Sequence, residues 1–303
     1  MDHVDGMLPG GYWDQDGRLH RAVRLRPLTG GEEELLAGGG RPPAALVTEV
    51  LGRCVLRLGE LEPPPSDVVR RLLVADRDYL LLRLRQLTFG DRVRAELVCP
   101  WAECGERVSI EFAVSDVPVH ESPERAPTYT VQLSATAAAG AAADAGDSDG
   151  DGEIGFRLPC GADQEELSSW AARDEPAALT ALLMRCVQRI GSAEPPGEDR
   201  VRALTPLARV EIEAAMERVS PRVDRVLETR CAECGRTFLA PFDLYRFFFG
   251  ELRTDAALLY REVHHLAFHY HWNESEIMAM PRAKRRTYLD LLAEEIERLN
   301  DGA

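Results

Sequence analysis

Apolar residues along this chain switch between the two-residue period of strands and the wider spacing of helices. A rough alternation over residues 11–28, carried by Leu19, Ala22 or Val23, and Leu25 with Asp16-Gly17 between the arms, predicts a β-hairpin. Thr29-Gly-Gly-Glu-Glu-Glu-Leu-Leu then reads as a capped, acid-first helix start. Glycines at 38–40 and Pro42-Pro43 break the chain, residues 44–58 predict an apolar helix, and the prolines at 63–65 end that unit. Two more helices are expected over 66–73 and 76–87, the second carrying Tyr79, Leu80, Leu82, Leu84 and Leu87. Strand alternation returns over 92–98 and 107–114, on either side of Cys99-Pro-Trp-Ala-Glu-Cys104.

This order then repeats. Pro159 lies 132 positions after Pro27 (159 − 27), and the same spacing relates Glu33 to Glu165, Glu34 to Glu166 and Leu35 to Leu167. It also relates Arg53 to Arg185, Cys54 to Cys186, Val55 to Val187, Arg57 to Arg189, Gly59 to Gly191, Glu96 to Glu228 and Cys99 to Cys231. So many identities in one register point to an internal duplication, each half being one supersecondary unit. Residues 129–133 and 154–158 then match the arms of the first hairpin, and Cys160 matches Leu28 at a packing position. Where the first copy has a two-residue turn, the second has an Ala/Gly/Asp-rich stretch, 134–152, expected to be a disordered, solvated loop. Its Asp147-Ser-Asp-Gly-Asp-Gly run resembles the opening of an EF-hand, but the twelfth position holds Leu158 instead of a bidentate Glu, so calcium is not expected.

Beyond residue 240 the repeat stops. A helix is expected over 252–269, a short one after the capping-box sequence Asn273-Glu-Ser-Glu276, and a last one over 282–299. The first turns of the last helix are basic (Arg282, Lys284, Arg285, Arg286), which opposes the helix dipole and marks a solvated face or a contact for an acidic partner. The expected architecture is α+β: two duplicated hairpin-helices-hairpin halves, 11–118 and 127–240, sharing a zinc-ribbon-like four-cysteine site, followed by an all-helical C-terminal region, 241–303.

The candidate chemistry centres on Cys99, Cys104, Cys231 and Cys234. The C-x4-C and C-x2-C pairs each fall at a predicted hairpin tip and end in Cys-Gly. If the halves pack about a pseudo-twofold axis, the tips adjoin and four thiolates hold one Zn²⁺ with no open position, a structural rather than catalytic site. Cys54 and Cys186 lie in apolar segments and read as core residues. His265 and His269, at i and i+4, share a helix face, but no Glu follows His265 in an H-E-x-x-H arrangement. With Phe268, Tyr270 and Trp272 around them they read as a partner-binding face. Phe247, Phe248 and Phe249 are core or a second such face. No nucleophile motif or phosphate-binding loop is present, and no enzymatic role is expected.

Composition narrows the partners. A net charge of −15 over 303 residues disfavours nucleic acid and anionic membranes. The opening residues lack a signal-peptide pattern and no apolar run is long enough to span a bilayer, so a reducing, cytoplasmic setting is expected. Arg92, Arg94, Arg107, Arg230 and Arg236 near the cysteine pairs leave one alternative, a zinc-ribbon nucleic-acid-binding or transcription-associated protein.

Three stretches carry a family likeness: Leu25-Arg-Pro-Leu-Thr-Gly-Gly-Glu-Glu; Ala75-Asp-Arg-Asp-Tyr-Leu-Leu-Leu-Arg-Leu-Arg-Gln-Leu-Thr-Phe-Gly-Asp followed by Cys99-Pro; and His264-His-Leu-Ala-Phe-His-Tyr-His-Trp-Asn-Glu-Ser-Glu-Ile with a later Arg-Arg-x-Tyr-Leu. Together they resemble T-even-type phage baseplate proteins, the hub assembly chaperone group, found also in prophages and phage-tail-like contractile injection systems. The resemblance implies a non-enzymatic protein that binds baseplate hub or spike proteins as the hub is built. The doubled, cysteine-bearing form departs from the short phage versions.

Overall fold

The computed structural model describes residues 3–38, 40–138, 152–168, 174–224, 226–241 and 256–301. The first hairpin begins well before residue 11: β1 (Val4–Trp13) pairs antiparallel with β2 (Leu19–Leu25), with a register shift between Met7 and Tyr12. α1 (Gly30–Ala37) follows a Thr29/Glu32 capping box, and α2 (Pro43–Cys54) starts with proline in its first turn. The helix expected over 44–58 stops at Cys54. Residues Val55–Leu58 become β3, which pairs with β2 through Val23–Leu58 and Arg24–Arg57. β-Branched Val55 suits the extended conformation, and β3 covers what would otherwise be an open sheet edge.

α3 (Ser66–Arg70) and α4 (Val74–Phe89) lead into the hairpin β4 (Arg92–Val98) and β5 (Arg107–Ala113). A 3-10 turn and β6 (Val119–His120) complete this series. The second series runs β7 (Tyr129–Gln132), α5 (Ala135–Ala138), β8 (Glu153–Phe156), α6 (Gly161–Leu167), α7 (Glu175–Cys186) and β9 (Val187–Ile190). It continues with α8 (Glu198–Arg202), α9 (Pro206–Val219), β10 (Arg222–Val223), and the hairpin β11 (Val226–Arg230) and β12 (Thr237–Pro241). α10 (Ala256–Tyr270), α11 (Glu274–Met278) and α12 (Arg282–Asp301) close the described chain. Most of the stretch expected as a disordered loop, 139–151, lies outside the described residues.

The sheets β1-β2-β3 and β7-β8-β9 have the same order, and each irregularity falls at the same place in the pairing with the third strand. The spacing between the series is not uniform, however. From α2 and α7 onward it is 132 (175 − 43), but α1 and α6 begin 131 apart (161 − 30). The start of α7 lies one residue further from the start of α6 (175 − 161 = 14) than α2 does from α1 (43 − 30 = 13). The identities Pro27/Pro159, Glu33/Glu165, Glu34/Glu166 and Leu35/Leu167 are therefore out of structural register by one residue. Cys160 occupies the N-cap of α6, as Thr29 does that of α1, and does not stand in the place of Leu28.

Each sheet packs its own core. Leu8, Leu25, Leu28, Leu51, Leu58 and Leu80 are fully buried in the first; Ile154, Phe156, Leu183, Cys186, Ala208 and Ile212 are buried in the second. Cys54 lies in the first core, as its sequence setting indicated. One acidic network recurs at the base of each sheet. Arg26 donates both terminal nitrogens to Glu32, and Arg157 does so to Asp163, which also accepts from Arg185 Nε at 2.7 Å and from the Cys160 amide at 2.9 Å. Burial alone would raise the Asp163 pKa, but the Arg157 pair, the amide and Arg185 outweigh it and hold the carboxyl well below its usual range. Asp76, at the start of α4, is fully buried and takes the Gly10 and Gly11 amides at 2.8 and 2.9 Å. Burial pushes its pKa up to about 6 against the pull of those amides.

The two series touch at several places. Leu73 and Cys160 form an isolated antiparallel bridge, with Gly161 N donating to Leu72 O and Val74 N to Pro159 O, and α6 lies on α2, α3 and α4. β6 pairs with β10. The C-terminal helices fold back onto α1: Thr29 and Pro281 form a second isolated bridge, and Arg285 donates to both Glu33 oxygens at 2.9 Å. The basic first turn of α12 is thus not wholly a solvated face. Arg282 and Arg285 are buried, and the acids they meet belong to the same chain, Glu33 for both and Glu262 for Arg285 as well.

Candidate metal centre

The β4–β5 and β11–β12 hairpins carry their ladders to the residue before each cysteine pair, Val98–Arg107 in one and Arg230–Thr237 in the other. The two tips are built alike. The Cys99 amide donates to Glu106 O and the Cys231 amide to Arg236 O, so the ladder closes behind the thiols. Gly105 and Gly235 follow the second cysteine of each pair at φ of 60° and 70°, a left-handed turn that a side chain would strain. The tips then face each other. Cys99 Sγ lies 3.9 Å from Cys234 Sγ and Cys104 Sγ lies 3.8 Å from Cys231 Sγ, and all four sulfurs fall within 4.8 Å of one another.

These distances decide between the two chemistries open to paired cysteines. A disulfide requires sulfurs about 2.05 Å apart. A tetrahedron with metal–sulfur bonds of about 2.3 Å has sulfur–sulfur edges of about 3.8 Å. The cluster matches the second, and all four cysteines are free thiols. Cys99 and Cys231 are buried, with Val108, Phe238 and Ala240 forming a small apolar floor beneath them, while Cys234 is exposed. Four thiols, two from each hairpin and converging from both series, can bind a metal ion as a closed set.

The amides of Cys234 and Glu233 hold the Cys231 pKa down at about 7. At Cys104 the Glu106 backbone pulls the pKa down, but burial and the neighbouring thiols outweigh it and push it up to about 12. Burial likewise raises Cys99. A bound dication would favour the ionised form of the thiols it touches. The arginines around the tips are engaged in part. Arg92 and Arg94 both pair with Glu111, Arg230 Nε donates to Gly235 O, and Arg236 pairs across the tips with Glu103 while lying over the Trp101 ring.

The other candidate residues are dispersed. His265 and His269 lie exposed on α10, where His264 stacks on Phe268 and Phe268 meets His269 edge-on. Trp272 is half-buried and stacks on Tyr270 against Tyr288, inside the small core of α10–α12. Phe247, Phe248 and Phe249 lie outside the described residues. The sequence reading missed the buried contacts of α1 and α6. Their visible signal was a glycine opening each helix with an acid at its third and fifth residues: Gly30, Glu32 and Glu34; Gly161, Asp163 and Glu165. The assumed 132-residue spacing hid that match.

Among the described residues no helix is long and apolar enough to cross a membrane. A family model described as T4 bacteriophage base plate protein matches residues 14–249, a span that takes in β2 and β3 of the first sheet, the whole second sheet and both cysteine pairs. No curated protein and no solved structure matches the chain.

Proposed function

The chain belongs to the T4 bacteriophage base plate protein family, and from that premise we propose that it is a non-enzymatic assembly or structural protein of a phage-tail-like contractile apparatus. It acts in baseplate hub assembly, in the cytoplasm, through contacts with hub or spike proteins. The observation that carries this reading is the family match across most of the chain. Consistent with it, among the described residues the one cluster suited to metal is closed by four protein ligands and leaves no position for substrate.

Within that role the cysteine cluster is a structural zinc site at the seam of two duplicated halves, 11–118 and 127–240, with a helical region, 241–303, after them. The shared sheet order and the similar hairpin tips support the duplication. The sulfur spacing and all-thiolate donor set support zinc. The exposed Phe268 with His265 and His269 is a candidate partner surface, and Phe247–Phe249 and Trp272 are proposed to lie in or beside it.

Two measurements test this. Protein purified without chelator should carry one zinc per chain by elemental analysis; a metal-free, fully folded preparation with four titratable thiols refutes the zinc site. Mixed with separately purified hub and spike proteins of the same apparatus, the chain should co-elute with one of them in a defined ratio. Failure to bind either refutes the assembly role.

A further inference from the structure

Three helix triplets share one layout: α2–α3–α4, α7–α8–α9 and α10–α11–α12. In each, the middle helix has five residues and is followed after three more by the third helix. The buried positions of the first helix also correspond, Val47, Leu51 and Cys54 on α2 having the spacing of Leu259, Val263 and Leu266 on α10.

Two of these triplets hold a short helix from elsewhere in the chain, and they hold it in the same way. α6 lies on the first triplet and α1 lies against the third. The N-cap of each incoming helix bridges to the residue before the third helix, Cys160 to Leu73 and Thr29 to Pro281. Its first residue is glycine at a close approach: a Cβ on Gly161 would fall 2.8 Å from Arg70 O, and one on Gly30 would fall 3.1 Å from Met278 O. Its fifth residue is Glu, which accepts from a hydroxyl on the first helix of the triplet, Thr48 for Glu165 and Tyr260 for Glu34. A buried arginine sits four residues after the bridge, Arg77 in one case and Arg285 in the other.

The triplet α7–α8–α9 carries the same fittings. At 132-residue spacing Thr180 stands for Thr48, Arg202 for Arg70 and Arg209 for Arg77. Among the described residues α6 touches α7 and α5 touches α9, but no helix N-cap bridges to Thr205 as Cys160 does to Leu73; a cavity of about 730 Å³ opens there, lined by Ala177, Thr180, Ala181, Met184, Arg202 and Arg209 with neighbours from α6. Arg209 satisfies itself locally, donating to Thr180 Oγ1, Leu204 O and Arg202 O. Among the described residues the two helices with this glycine-and-acid start, α1 and α6, are already engaged in the other two triplets.

We propose that this cavity is the docking site for a short helix of a different protein, one that begins with an N-cap residue and glycine and carries Glu at its fifth position. That Glu accepts from the Thr180 hydroxyl and from Arg202, which now meets only the exposed Glu198 at 3.6 Å. Arg209 exchanges its local carbonyls for the incoming turn. Pro206 stands where Val74 donates in the first triplet, so the backbone bridge forms here through one bond, from the incoming glycine amide to Leu204 O. The inference names one contact for the assembly role and rests on the triplets, so its test reads the cavity alone.

The probe is a fluorescein-labelled peptide with the sequence of residues 26–38, added to the full chain and followed by anisotropy. Saturable binding is expected. It should weaken at least tenfold with Gly30→Val or Glu34→Gln in the peptide, and with Ala181→Trp or Arg202→Glu in the chain, each variant chain keeping the wild-type melting profile. Absence of saturable binding, or equal binding to both variant chains, overturns the proposal. Sedimentation velocity of the chain alone should show no self-association through this face; an oligomer abolished by Ala181→Trp would make the occupant a second copy and overturn it too. None of these outcomes alters the hub and spike co-elution result.

Discussion

Replacing Asp163 by Asn keeps the shape of the side chain and removes its charge from beneath the second sheet. The carboxylate is 1% exposed and takes four short polar contacts: two from Arg157, one from Arg185 and one from the Cys160 amide. An amide can accept at only one of its two ends, so at least one guanidinium nitrogen would face an NH₂ group. Removing one partner of a buried, hydrogen-bonded ion pair costs about 3–5 kcal/mol, chiefly because the other charge is left without compensation. Against the roughly 5–15 kcal/mol that stabilises a domain, this is a large share. Urea titration followed by circular dichroism should show the transition of the second core moving to lower urea at pH 7. The pH dependence supplies an independent check. The Asp163 pKa is depressed in the folded chain, so its contribution is present above the unfolded carboxyl value and is lost as pH falls toward the folded one. Wild-type and Asp163→Asn chains should therefore converge in stability below about pH 4, near the unfolded Asp pKa of about 3.9. A loss under about 1 kcal/mol at neutral pH, or a difference that does not shrink in acid, would refute this account of the network.

Two further outcomes follow from buried charge. Asp76 has the opposite sign: its folded pKa of about 6 lies above the unfolded value, so stability from this group is greatest in acid and declines as pH rises from about 4 to 6. The decline is about 3 kcal/mol, and Asp76→Asn should remove it; equal differences between variant and wild type at pH 4.5 and 7.5 would contradict the burial argument. Arg285→Ala leaves Glu33 with Arg282 alone at 3.4 Å, and limited proteolysis should then cut around residues 271–281 far faster than in wild type. Unchanged cleavage would mean that α12 is held by its apolar contacts instead.

The cysteine centre was legible because its chemistry is local: each pair is a short motif at a hairpin tip, and one repeated spacing brings the tips together. Helix and strand types were legible where the period was long and clean, as over α4 and β4–β5. The change from α2 to β3 at Val55 was not, because Val55, Leu56 and Leu58 continue the apolar run of α2 and only the exposed edge of β2 selects the strand. The contacts of α1 and α6 were hidden for a different reason. Glu33 and Arg285 are separated by 252 residues, and nothing local distinguishes a glutamate destined for burial from one in solvent. A one-residue difference in the spacing of the helix starts was enough to misplace Cys160 and to conceal the shared glycine-acid pattern.

The docking of α1 against α10–α12 has a consequence for synthesis. The first half emerges from the ribosome with its own sheet and core residues in hand, yet Glu33 waits 252 residues for Arg285. Until then the first turn of α1 presents glycine and acid to whatever surface is near. Growing chains on one message pass close to one another, and α7–α8–α9 of a neighbour offers a similar seat. Correct pairing then depends on the local concentration of the chain's own later helices exceeding that of its neighbours.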